Sequence, residues 1–160
     1  MSFPLLKKCF DHIEEILGSI ILAVMAVVTF ANVVTRYVIT YPLAFTEEIT
    51  VSMFVWIVLL GASVAFRKNA QLAMSFFYDL MPQSVRKLFF FFSTGMSLTF
   101  FALLIWLGSI QVWDEWELGV TTDALAIPAA IYSAGIPLIS TLIILRILQF
   151  ARAALREGTY

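Results

Sequence analysis

Charge is what this sequence has least of. Only 13% of its 160 residues are Asp, Glu, Lys or Arg, while 61% are hydrophobic and mean hydropathy is +0.94. A soluble domain carries about 25% charged residues and must cover a large surface with polar groups. This chain lacks the side chains to do so, which excludes a soluble enzyme and makes lipid the expected solvent. Ten basic and 11 acidic residues leave a net charge of −1, so no polybasic footprint for nucleic acid exists. The single cysteine, Cys9, excludes an intrachain disulfide and CxxC chemistry. The single histidine, His12, excludes a bis-histidine haem within one chain.

What is present is a set of four runs without charge, residues 16–35, 49–66, 88–113 and 124–145. About 20 apolar residues in a helix cross the roughly 30 Å hydrocarbon core. Each run fits, and the surplus of the third implies tilt or protrusion. The expected fold is an all-α integral membrane protein, one transmembrane domain over residues 1–160. Its four transmembrane helices should lie at about residues 16–36, 48–66, 88–113 and 124–146. A cleavable signal peptide is a poor reading of the first run, which is too long and has no small-residue cleavage site before Glu47-Glu48. Nine of the ten basic residues (Lys7, Lys8, Arg67, Lys68, Arg86, Lys87, Arg146, Arg152 and Arg156) fall on one side, against Arg36 on the other. The positive-inside rule then places both termini in the cytoplasm. Residues 38–48 and 114–123 face the opposite side, the periplasm in a Gram-negative cell. Tyr37, Tyr41, Trp113 and Trp116 mark that boundary as an aromatic belt.

Segments beside the spans are amphipathic. Gln71, Ser75 and Asp79 recur at helical spacing, Leu72, Phe76, Phe77, Leu80 and Met81 take another face, and Pro82 stops the pattern. This predicts an interfacial helix at about residues 71–81, between the second and third spans, in preference to an ordinary loop. The stripe Leu6, Phe10, Ile13 and Leu17 leads into the first span as one long helix. Arg146, Gln149, Arg152 and Arg156 extend the fourth beyond the membrane.

An ionisable residue inside a span is a functional-site hypothesis by default, and these four runs hold none. Their hydroxyls are expected to return to carbonyls one turn back. Asn32 is expected to bond a neighbouring helix or the loop. In the fourth span Pro128 and Pro137 accompany Ala126, Ala130 and Ala134, four residues apart, which predicts a kinked packing helix; a discontinuous transport helix is the sharper alternative. Gly61, Ala62, Ser63 and Ala65 are expected to pack closely in the second span. Thr46 suits an N-cap and Glu47 and Glu48 suit a helix start, with Arg36 expected to pair with one of these glutamates. No nucleophile or metal-ligand set accompanies that carboxylate pair, so a catalytic role is not supported, and no metal or cofactor is expected. Asp114, Glu115 and Glu117 form either a solvated acidic loop or a face for a basic partner.

The ordered elements Asn32-x-x-x-Arg36-Tyr37, Glu47-Glu48, Phe54-Val55-Trp56 and Gly61-Ala62-Ser63-x-Ala65-x-Arg67-Lys68 run through the first two spans. Leu80-Met81-Pro82-x-x-x-Arg86-Lys87 and Ala124-x-x-Ile127-Pro128-x-x-x-Tyr132 precede and open the last two. In this order and spacing, from about residue 16 to 145, the chain resembles the small membrane subunit of tripartite ATP-independent periplasmic (TRAP) transporters. It departs at Gln71, where that family often has histidine. The resemblance implies a non-catalytic scaffold subunit of a sodium-driven, binding-protein-dependent importer of an organic acid, of the sialic-acid or C4-dicarboxylate class. Its implied partners are a large membrane subunit, which carries sodium and moves as an elevator, a periplasmic substrate-binding protein, and lipid. The Arg67-Lys68 and Leu80-Met81-Pro82 region is closest to sialic-acid members. The competing reading is an autonomous four-helix carrier acting as a homodimer. It requires a membrane-embedded glutamate in the first helix, whereas Glu14 and Glu15 precede the apolar run.

Overall fold

The structure is a computed structural model that describes residues 4–39, 44–68 and 82–157, with side chains described from His12 onward except at positions 39, 83, 84 and 157. Helix α1 runs Pro4–Val34 and ends in a π-helical turn, Thr35–Ile39. Helix α2 spans Ala44–Arg67, α3 Gln83–Glu117, α4 Ala129–Ser133 and α5 Gly135–Glu157. Prolines mark the starts: Pro4 opens α1, and Pro82 and Pro128 precede α3 and α4. At these positions a missing N–H costs nothing. Four stretches, His12–Val38, Ala44–Arg67, Val85–Glu117 and Ala129–Arg156, are long and apolar enough to cross a membrane. The first span is part of one long helix and the fourth runs on past Arg146, as expected. The interfacial helix expected at residues 71–81 lies outside the described residues.

Two expectations about helix starts are corrected. Helix α2 begins at Ala44, so Thr46 is a buried member of its first turn and not its cap; Glu47 still occupies that turn. The fourth span begins at Ala129, not at residue 124, because residues 120–128 close on themselves as a turn.

Helix α1 packs on α2, α2 on α5, and α5 on α3. The helices therefore stand in a row, in the order α1, α2, α5, α3, with α5 interior and α1 and α3 at the edges. The core is small and lies around α5: Leu59 and Phe66 of α2, Phe101 of α3, and Ile143 and Ile147 of α5. Phe66 meets Phe101 edge-on at 6.1 Å between ring centroids. Of the run Phe89–Phe92 only Phe90 turns inward, against Phe150 of α5 at 5.8 Å, while its three neighbours are exposed. Along α1 the apolar side chains look outward, Val27 being 68% and Phe30 70% exposed. In water such surface drives aggregation; in lipid or against another membrane protein it is the ordinary exterior.

The expected alanine stripe is only partly formed. Ala126 lies in the turn before α4 with φ of 53°, Ala130 is buried, and Ala134 links α4 to α5. Pro137 lacks an N–H and so leaves Ser133's carbonyl without its usual helical donor. Just ahead of it, the Trp56 indole of α2 donates to the Tyr132 carbonyl at 3.0 Å. Gly135 makes this approach possible: a Cβ there would lie 2.1 Å from Trp56 Nε1. Gly108 of α3 similarly admits the Pro137 ring, 3.2 Å from where its own Cβ would be. Gly61, expected to pack closely, faces open space, whereas Ser63 is fully buried. The fourth span is thus interrupted at Ala134, and α2 and α3 approach it closely around this break.

Candidate functional site

The polar contacts between helices gather at the two ends of the row, where the chain leaves the apolar layer. The end carrying Arg36 and Asp114 is ordered by the turn between α3 and α4. Gly119, at φ of 61°, ends α3: Val120 N–H donates to the Glu115 carbonyl at 3.0 Å and Gly119 N–H to that of Trp116 at 3.3 Å. This pair of bonds is a Schellman motif, which a left-handed glycine permits. Thr122 and Ile127 then close the turn. Thr122 N–H donates to the Ile127 carbonyl at 2.9 Å, and Ile127 N–H donates back to Thr122 Oγ1 at 3.3 Å. Glu48 Oε2 accepts from the Ala124 N–H at 3.2 Å, fastening the turn to the start of α2.

The acidic residues of this end are held on the last turns of α3. Glu115 accepts from Gln111 Nε2 at 2.8 Å, and Glu117 accepts from Trp113 Nε1 at 3.2 Å. Asp114 and Glu117 are exposed beside the exposed Trp113 and Trp116. They form an acidic ledge with an aromatic rim at the end of α3. The expected pairing of Arg36 is not made. Among the described residues no ion pair joins it to Glu47 or Glu48: Arg36 is exposed on the π-helical turn, and Glu48 is engaged by Ala124. Asn32, Thr46, Thr50 and Glu47 line a groove between α1 and α2 beside it.

The ion pairs are instead at the opposite, basic end. Glu14 of α1, 1% exposed, accepts from Arg146 Nε of α5 at 2.8 Å, and Arg146 Nη1 donates to Gln149 at 3.0 Å. Glu15 accepts from Arg67 Nη2 at 2.5 Å and from Lys68 Nζ at 2.8 Å, both at the end of α2. Three spans are thereby tied at one level, and the first and last described helices have ends on the same side of the row. Sequence reasoning placed Glu14 and Glu15 at a membrane edge but found no partner for them. Glu14 and Arg146 are 132 positions apart, and nothing local links them. The one sequence signal was that the doublet Glu14-Glu15 stands immediately before the uncharged run of the first span.

Several span hydroxyls return to the carbonyls one turn back, as expected: Ser19 to Glu15, Ser52 to Glu48, Thr99 to Gly95 and Thr141 to Pro137. No group of three or more His, Cys, Asp or Glu side chains among the described residues is placed to hold a metal ion.

Residues 25–157 match the family model described as the DctQ component of tripartite ATP-independent periplasmic transporters. The C4-dicarboxylate TRAP transporter small permease protein DctQ of Vibrio cholerae is 33% identical over 71% of this chain, which spans 47% of that relative. The ectoine TRAP transporter small permease protein TeaB of Halomonas elongata is 31% identical over 86% of this chain and 73% of its own length. The sialic acid TRAP transporter permease protein SiaT of Haemophilus influenzae is 29% identical over 94% of this chain, yet the match occupies only 24% of that longer protein. The chain belongs to the DctQ family of tripartite ATP-independent periplasmic transporter components, and is a multi-pass inner-membrane transport subunit and not an enzyme.

Proposed function

We propose that the chain is the fixed, non-transporting membrane subunit of a sodium-driven, binding-protein-dependent importer of an organic acid, of the sialic-acid or C4-dicarboxylate class. The observation that carries this reading is the single row of helices. A row one helix thick has two broad apolar faces and a minimal interior, which suits an element that widens and braces another membrane protein. The match to a quarter of the longer Haemophilus permease supports a large membrane partner, since there one polypeptide joins such a segment to a much larger remainder. The relatives' names carry three different substrates, which fits a subunit that leaves substrate choice to other chains. By the distribution of lysine and arginine, the basic end faces the cytoplasm, and the acidic ledge of Asp114, Glu115 and Glu117 faces the periplasmic binding protein.

The autonomous-carrier reading needs an embedded glutamate available to a substrate. Glu14 is buried in the protein at the start of the apolar run, and Arg146 holds it. The deciding experiment is reconstitution. The chain alone in proteoliposomes should take up nothing under a sodium gradient, and uptake should appear when the large subunit and binding protein are added. Sodium-dependent uptake by the chain alone would sink the proposal.

A further inference from the structure

A cavity of about 220 Å³ opens at the basic end between α2 and α5, lined by Phe66, Arg67, Arg146, Gln149, Phe150 and Ala153. That is several times the roughly 30 Å³ one water occupies in the liquid. Two guanidinium groups border it, their side chains only 15% and 12% exposed, and both are already oriented. Arg67 is held through Nη2 by Glu15, and Arg146 through Nε by Glu14 and through Nη1 by Gln149. Arg67 Nη1 is buried and has no acceptor among the described residues. A buried charged donor left without a partner is costly, so the site is one acceptor short.

The depth of the cavity says which acceptor fits. Arg67 closes α2, and Arg146 follows 22 uncharged residues, so both lie where a span leaves the hydrocarbon and lipid phosphates begin. Phe66 and Phe150 supply apolar wall on the same cavity, as a glycerol and acyl stem needs. Among the described residues of the cluster the balance is positive, Arg67, Lys68 and Arg146 against Glu14 and Glu15. We propose that this cavity binds the phosphate of a membrane phospholipid, with an anionic headgroup preferred, the Arg67 and Arg146 guanidinium groups forming its basic border. Basic pockets between spans on the cytoplasmic side recognise lipid headgroups by this chemistry. The site is separate from any role in transport, and its test does not depend on one.

The test follows the thermal unfolding of the delipidated full chain in mild detergent, read by helical circular dichroism. Dioleoylphosphatidylglycerol, dioleoylphosphatidylcholine and inorganic phosphate are added in turn. Phosphatidylglycerol should raise Tm by several degrees at saturation, phosphatidylcholine less, and inorganic phosphate at equal concentration not at all. In Gln149→Glu the new carboxylate stays within reach of Arg146 and repels phosphate. Unliganded Tm should hold, and apparent affinity for phosphatidylglycerol should fall about tenfold. Arg67→Lys keeps the charge beside Glu15 but loses the second nitrogen, and should weaken the response in the same direction. Equal responses in wild type and both variants would overturn the site. A full response to inorganic phosphate would overturn the lipid assignment, and equal response to the two lipids would overturn the headgroup preference.

Discussion

At the scale of single residues, the structure separates side chains that the sequence makes look alike. Glu14 and Glu15 are adjacent, yet Glu14 is sealed against Arg146 whereas Glu15 remains about one-third exposed beside Arg67 and Lys68. Removing one partner of a buried pair strands the other charge. Glu14→Gln should therefore destabilise the chain by about 3 kcal/mol or more, seen as a lowered unfolding temperature in detergent. Replacing both partners, Glu14→Leu with Arg146→Leu, should recover most of that loss, because no uncompensated charge remains. The glycines make a second contrast. Gly135→Ala would drive a methyl into the Trp56 indole and break its bond to Tyr132, a loss of about 1 kcal/mol plus the repacking of the ring. Gly61→Ala meets open space and removes a flexible residue from a helix interior, so it should be neutral or stabilising by up to about 1 kcal/mol. Tryptophan fluorescence together with unfolding temperature distinguishes the two. Equal behaviour of the pair would show that the break at Ala134 is not held by Trp56.

At the scale of elements, the turn joining α3 to α4 is the most tightly specified connection. It combines a glycine-ended helix, a reciprocal Thr122–Ile127 clasp and a tie from Glu48. Gly119→Ala forces a Cβ into the left-handed region and should cost about 1 kcal/mol, with faster amide exchange at Val120 than in the wild type. Glu48→Ala should speed exchange at Ala124 while leaving the α3 terminus protected, since that terminus has its own bonds. The four spans and their approximate ends were legible because hydropathy and charge act on every residue of a run at once. The start of the fourth was misjudged, because residues 124–128 are as apolar as a helix. What makes them a turn is a clasp between Thr122 and Ile127, together with Pro128. The break before Pro137 was legible in its proline but not in its support. Trp56 belongs to another span, and an apolar run does not record which helix will stand beside it.

At the scale of the whole molecule, neighbour relations decide what the sequence could not. Arg36 and Glu47 are close along the chain, and proximity in a hairpin made them natural partners; Glu14 and Arg146 are distant and are the pair that forms. Once the row order α1, α2, α5, α3 is known, the inversion is intelligible, because α1 and α5 flank α2 and their charged ends meet past it. The docking role proposed for the acidic ledge belongs to this scale too, since it needs a second protein. If Asp114 and Glu117 receive a basic patch on the binding protein, Asp114→Lys with Glu117→Lys should lower binding-protein-dependent uptake several-fold, chiefly at low ionic strength where steering is strongest. Uptake unchanged across ionic strengths would make the ledge merely solvated. The clasp at the basic end gives α1 one further property. This helix packs on one neighbour along its length and is pinned near Glu14, so it is a lever with its fulcrum at one membrane surface. Arg36 lies 22 residues along, roughly 33 Å at the helical rise. A rotation of about 5° at the pin would therefore swing the far tip by about 3 Å, so a displacement of α1 near Arg36 would be felt at the opposite surface as a small turn of the Glu14–Arg146 joint.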